Sequence, residues 1–168
     1  MTRRTEALAE RLEQGVHELV DLTRTLTEEQ WQTRLPGDGR KVGVVVHHVG
    51  TMYPIEIELA LKLAAGQAVE GVTWQKVHTM NAVHAGEYDA VSKGEALALL
   101  TRNSVAAAVA IRALTDEELD RVAPLSLEAD GPRSAQYMLE GHAVGHAWHH
   151  LAGIRKALQQ STAPAAAV

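Results

Sequence analysis

Residues 141–154 read GHAVGHAWHHLAGI and carry four of the chain's nine histidines. On a helix, at about 100° per residue, His142, His146, His149 and His150 fall within an arc of about 100°. Leu139, Ala143, His146, His150, Ile154 and Ala157 form one stripe on that helix, and a stripe so rich in apolar side chains must be buried. Whatever the chain folds into must cover a helix face that bears imidazoles. His146 and His150 are four apart, the spacing at which successive turns can hold the same metal ion. The fold is then one that brings a third ligand to this face from another element.

That element is a second long helix, expected over about 40–65. Val45, His48, Met52, Ile55, Leu59 and Leu63 are spaced by threes and fours and make one continuous stripe. His48 lies inside the stripe, whereas His47 is about 100° away and should point aside. Pro54 removes the amide bond back to Gly50 and should kink the helix beyond His48.

The rest of the chain reads as further helices. Leu8, Leu12, Val16, Leu19 and Val20 mark an amphipathic helix over about 5–26. Thr27-Glu28-Glu29-Gln30 has the form of a capping box and should open a short turn carrying Trp31, before Pro36-Gly37-Asp38-Gly39 breaks the chain. Gly66 to Gly71 form a turn, and a shorter helix is expected over 74–88. Ser92-Lys93-Gly94-Glu95 is another capping box, leading into an alanine-rich helix over 96–114 with Leu97, Leu100, Val105, Val109, Ile111 and Leu114. Thr115-Asp116-Glu117-Glu118 starts one more turn, and Ala123-Pro124 and Gly131-Pro132 bracket a loop without clear periodicity. The last long helix should run over 134–160, with 161–168 a frayed, disordered tail. Four long helices without strand-like alternation predict an all-α, single-domain four-helix bundle over 1–160, with long connections and one or two extra short helices.

Composition narrows the chemistry. The absence of cysteine excludes thiolate zinc sites, disulfides and a cysteine nucleophile, leaving imidazole, carboxylate or water to hold a metal. The net charge of -5, with scattered basic residues, speaks against nucleic acid. The N-terminal MTRRTEALAERLEQ has charges where a signal peptide needs an apolar run, and no uninterrupted apolar run approaches a membrane span. A cytoplasmic protein with no membrane partner is expected.

His48 opposite His146 and His150 makes three neutral imidazoles around one point, with positions left for water or substrate. Such a set suits one divalent transition metal, zinc or nickel first, iron or manganese as well. The ion would act as a Lewis acid or lower the pKa of bound water, which opens hydrolysis, thiol activation or isomerisation of a small-molecule substrate. The alternative is a non-catalytic bundle that binds a metal or small ligand. A haem site is a third reading, although an i,i+4 pair plus one suits a compact ion better. His47 would replace His48 only if the helix distorted. Glu56 is a candidate general base or ligand-orienting group, with a surface glutamate at the stripe's edge the plainer expectation. His142 and His149 stand at the edge of the ligand face. Asn81, His84 and Tyr88 could line a pocket mouth, though ordinary packing explains them as well. Trp148 points away from the ligands and should pack on another helix or a second subunit, and Trp31 and Trp74 carry no functional signal.

These residues resemble the DinB-like (YfiT-type) metal-dependent four-helix proteins. KVGVVVHHVG is similar to the family's small-apolar run ending in a ligand histidine, with His48 in register. HAVGHAWHHLAGI is similar to H-x-x-x-H-x-x-H-H-x-x-Q-I, with the ligand pair on His146 and His150; Gly153 departs from the pattern where relatives often carry glutamine. The resemblance spans roughly residues 4–160. It implies a cytoplasmic metalloprotein acting with a low-molecular-weight thiol, related to thiol-dependent transferases and maleylpyruvate isomerase, and often a homodimer.

Overall fold

Thr2 starts the first helix: its hydroxyl accepts from the Thr5 N–H while the Thr5 hydroxyl accepts from the Thr2 N–H, a reciprocal cap that satisfies two otherwise orphaned donors. The computed structural model describes residues 2–128 and 130–162 of the chain. Helix α1 (Arg3–Thr25) buries Leu8, Leu12, Val16, Leu19 and Val20, as their spacing predicts. The Thr27 and Gln30 capping box opens α2 (Glu28–Gln32), which delivers Trp31 to the core. Trp31 donates from Nε1 to the Val91 carbonyl and lies against Gly43, where a β-carbon would come within 2.5 Å of the indole.

Helix α3 (Val42–Ala64) is buried on every side through residues 42–50, because the other helices surround it there. It is continuous across Pro54. Proline has no N–H, so the Gly50 carbonyl loses its helical donor, and Asn103 supplies one from Nδ2 at 2.9 Å. Beyond Pro54 the buried side departs from the expected stripe at Ile55 and Leu59, while Leu63 is buried as expected. Ile55 is 36% exposed and Leu59 half-buried, while Glu56, Ile57 and Ala60 are covered. Ile55 and Leu59 instead form the wall of a cavity.

Helix α4 (Trp74–Glu87) leans on the bundle, with His84 as its buried side chain. The Ser92 and Glu95 capping box opens α5 (Lys93–Arg112). Its buried face is Ala96, Leu100, Ser104, Ala107, Ala108 and Ile111; Val105 and Val109, expected inside, are 58% and 62% exposed. The small residues win because they let α5 approach α3 closely: a β-carbon on Gly50 would lie 2.9 Å from the Leu100 backbone. Among the described residues α5 is long and apolar enough to cross a membrane by length and composition, and here its alanine face packs against α1 and α3. Arg112 ties α5 to α1 through Glu6 at 2.9 Å and Glu13 at 2.6 Å.

Helix α6 (Asp116–Asp120) follows the Thr115 cap. In the segment expected to be loop, β1 (Val122–Ala123) pairs antiparallel with β2 (Arg133–Ser134), a short ribbon within an otherwise all-α fold. The last helix is three pieces in one: α7 (Ala135–Met138), a π turn (Leu139–Val144) and α8 (Gly145–Thr162). It runs past the expected end at Gln160; residues 163–168 of the expected tail lie outside the described residues. Helix α5 packs on α1 and α3 from one side and α8 packs on the same two from the other. Helices α1 and α3 therefore sit across a diagonal, which is why α2 and a long connection must intervene between them.

Candidate metal centre

Helices α3 and α8 meet at their histidines. One ring nitrogen each of His48, His146 and His150 lies within 4.8 Å of the other two. The Nε2 atoms of His48 and His146 are 3.3 Å apart, and the three ring centroids are 4.9–5.4 Å from one another. His48 is 3% exposed and His150 8%, and His48 and His146 border the cavity.

Burial pushes the His48 imidazolium far below the ordinary histidine range, with His146, Arg40 and His150 pushing the same way. His150 is brought down to about 2, first by burial, then by His146 and Arg40, with Asp38 opposing. Both rings are therefore neutral near pH 7, the form in which imidazole donates a lone pair to a metal. Arg40 is held through Nε and Nη2 to the Asp38 carboxylate at 2.6 and 2.7 Å.

Glu56 is not the surface glutamate that its place at the stripe's edge suggests. It is 4% exposed, and its Oε1 lies 2.6 Å from Nδ1 of His146. Two turns separate it from His48 on the same helix, so one face of α3 brings both a histidine to the cluster and a carboxylate to the far side of a histidine from α8. A β-carbon on Gly153 would meet the Leu35 side chain at 3.5 Å, an ordinary contact.

His47 turns away from the three nitrogens, as helical phase predicts, but into a second buried cluster. Its Nδ1 is 2.9 Å from Nε2 of His84, Tyr88 stacks on its ring at 3.9 Å, and the Thr51 hydroxyl donates to the His47 carbonyl. Burial lowers His47 as well, and brings His84 down to about 4 with help from His47 and Arg40. His84 and Tyr88 are thus packing partners of His47 rather than walls of the pocket mouth; Asn81 does line it. Helical phase sets His47 aside from the apolar stripe, so the sequence alone does not signal its pairing with His84.

Above the cluster lies a cavity of about 590 Å³. His48, Glu56 and His146 lie at its floor, and His142 and His149 stand in its wall. His142 sits in the π turn, which sequence periodicity did not foresee; such turns insert a residue into a helix and often occur at functional sites. Trp74 also borders the cavity, with Nε1 bonded to the Leu127 carbonyl. Trp148 packs away from it, donating to the Arg11 carbonyl beside Gly15 of α1.

Fold and site together define a four-helix-bundle protein with three clustered imidazoles, from two helices, at the floor of an open cavity. A family model described as the DinB superfamily matches residues 11–154, and the chain belongs to that superfamily. Comparison with curated protein sequences returns no match. Among solved structures the fold is similar to that of YfiT from Bacillus subtilis, described as a probable metal-dependent hydrolase with an unusual four-helix bundle topology. The TM-score is 0.72 at 21% identity, over 96% of this chain and 90% of that one.

Proposed function

We propose that the chain is a divalent-metal-dependent enzyme whose ion is held by His48, His146 and His150. The separation of 3.3 Å between the Nε2 atoms of His48 and His146 carries the reading. Two nitrogens each about 2.0–2.1 Å from a tetrahedral ion lie about 3.4 Å apart, whereas hydrogen bonds from N–H groups cluster at about 2.7–3.2 Å. The donor set fits: the Glu56 carboxylate at Nδ1 of His146 keeps a proton on that nitrogen and leaves Nε2 free to donate its lone pair.

When bound, such an ion supplies Lewis acidity with open positions, polarising a carbonyl or acidifying a water or thiol. The chain's own residues orient and enclose. Glu56 fixes the ring of His146, and the buried faces of α3 and α8 keep His48 and His150 neutral. The cavity favours an enzyme over a storage or structural site, because a closed site would not leave one face of the cluster open to a pocket of this size. The likeness to YfiT supports hydrolysis as the leading reaction; a low-molecular-weight thiol in place of water gives the transferase variant, with zinc or nickel as the ion.

Elemental analysis of tag-free protein tests the site, with about one metal per chain expected. Turnover of an ester and amide panel, with and without added thiol, tests the activity: it should stop on chelation and return with zinc or nickel. Metal without chelator-sensitive turnover would favour a binding protein, and protein free of metal under metal-replete growth would defeat the site.

A further inference from the structure

We infer that the substrate presents an apolar, uncharged body to this cavity, with its reactive end at the histidines. The position of that end rests on the metal-dependent reading, whereas the character of the body does not. The volume of about 590 Å³ falls within the range of about 300–1,000 Å³ usual for small-molecule sites. His48, Glu56 and His146 lie at the floor, and apart from Lys76, Asn81, His142 and His149 the wall is apolar. Of the four methionines in the chain, three, Met52, Met80 and Met138, are in that wall. Thioether chains adapt to the shape of a ligand without offering it a strong hydrogen bond.

Charge in the wall is sparse, and the one lysine in the lining, Lys76, is solvent-exposed. The Lys76 ammonium donates to the Gly71 carbonyl at 2.7 Å, and Glu56 is engaged with His146. Arg40, the guanidinium whose charge bears on His48 and His150, is paired with Asp38 and borders a different hollow. A phosphate or carboxylate placed among the methionines would lose its hydration, with only the exposed Lys76, already donating to a carbonyl, as a cation in the lining. A hydrocarbon or aromatic body loses nothing and gains the transfer free energy of each buried methylene.

The test uses the full chain stripped of metal by chelator. N-phenyl-1-naphthylamine, a neutral dye that brightens in apolar surroundings, is titrated in and then displaced by butanamide, hexanamide and octanamide, and by 6-aminohexanamide and adipamate. The dye should bind, and the plain amides should displace it about three- to fourfold more tightly for each added methylene. The two amides with charged tails should be at least about tenfold weaker than hexanamide. Met80→Glu, on the lightly packed α4, should weaken dye and octanamide about tenfold at unchanged helix content, and Leu59→Lys places a charge in the opposite wall should that variant not fold. Absent dye binding, a flat amide series, equal displacement by the charged amides, or full binding by the folded variants would each overturn the inference. Metal content is measured separately, so a failed titration and a failed metal site are distinguishable.

Discussion

Oε1 of Glu56 on α3 and Nδ1 of His146 on α8 meet at 2.6 Å, in a pair that is almost wholly buried. A carboxylate so deeply covered costs several kcal/mol unless it is paired, so its position is set by what it holds. It joins the two helices that supply the three imidazoles and fixes which nitrogen of His146 points at the others. The second oxygen, Oε2, is buried without a partner, which leaves the carboxylate oriented by this one contact.

Replacing Glu56 with glutamine keeps the shape and removes the charge. Metal affinity should fall by about 10–100-fold, the usual consequence of losing an outer partner of a ligand histidine. Competition against a chromophoric chelator measures it, with helix content as the control for folding. Affinity equal to the parent protein would show that Glu56 does not orient the site.

The metal-free protein should lose stability as pH falls below about 6.5. His48, His150 and His84 are held below their ordinary pKa mainly by burial, His150 to about 2 and His84 to about 4. Above pH 6.5 they are neutral folded or unfolded and contribute no pH dependence. Below it the unfolded chain takes up protons that the folded chain refuses, so each such group removes up to about 1.4 kcal/mol per pH unit until its folded pKa is reached. Urea midpoints of chelated protein should be level from pH 7 to 8 and drop steadily from 6.5 to 5. A midpoint that is level across the acid range would contradict the neutral burial of these rings.

The parts of this architecture that follow local rules were legible in the sequence. Capping boxes at Thr27, Ser92 and Thr115 open helices where expected, and helical phase separates His48 from His47. The misses are tertiary. Glu56 looks superficial on α3 alone and is buried because α8 covers it. Val105 and Val109 are more hydrophobic than Ala107 and Ala108, yet the alanines face inward because closeness of α3 and α5 outweighs side-chain area. The π turn changes helical phase without any residue that announces it.

Asn103 and Pro54 form a testable couple through the Gly50 carbonyl. Asn103→Ala should destabilise the protein by about 1–3 kcal/mol, because a partly buried acceptor loses its donor. In a Pro54→Ala background the helix regains an N–H for that carbonyl, so the same substitution should cost appreciably less. Denaturant unfolding of the four proteins gives the coupling directly. Equal costs in both backgrounds would mean that Asn103 does not substitute for the missing amide.

Gly50→Ala tests the contact on which the α3–α5 packing depends. The new methyl would stand 2.9 Å from Cα and N of Leu100, and backbone cannot move aside as a side-chain tip can. Overpacking of this kind costs about 1–3 kcal/mol, against the gain of about 0.5–1 kcal/mol that alanine brings to an open helical position. Gly86→Ala supplies that comparison, since nothing lies within 4 Å of its β-carbon on α4. Gly50→Ala should lower the thermal midpoint and Gly86→Ala should raise it. Because Gly50 is half a turn from His48, the first variant should also weaken metal binding as α3 shifts, while the second leaves it unchanged. Loss of stability in Gly50→Ala with full metal affinity would show that α3 can move away from α5 without carrying His48 out of the cluster.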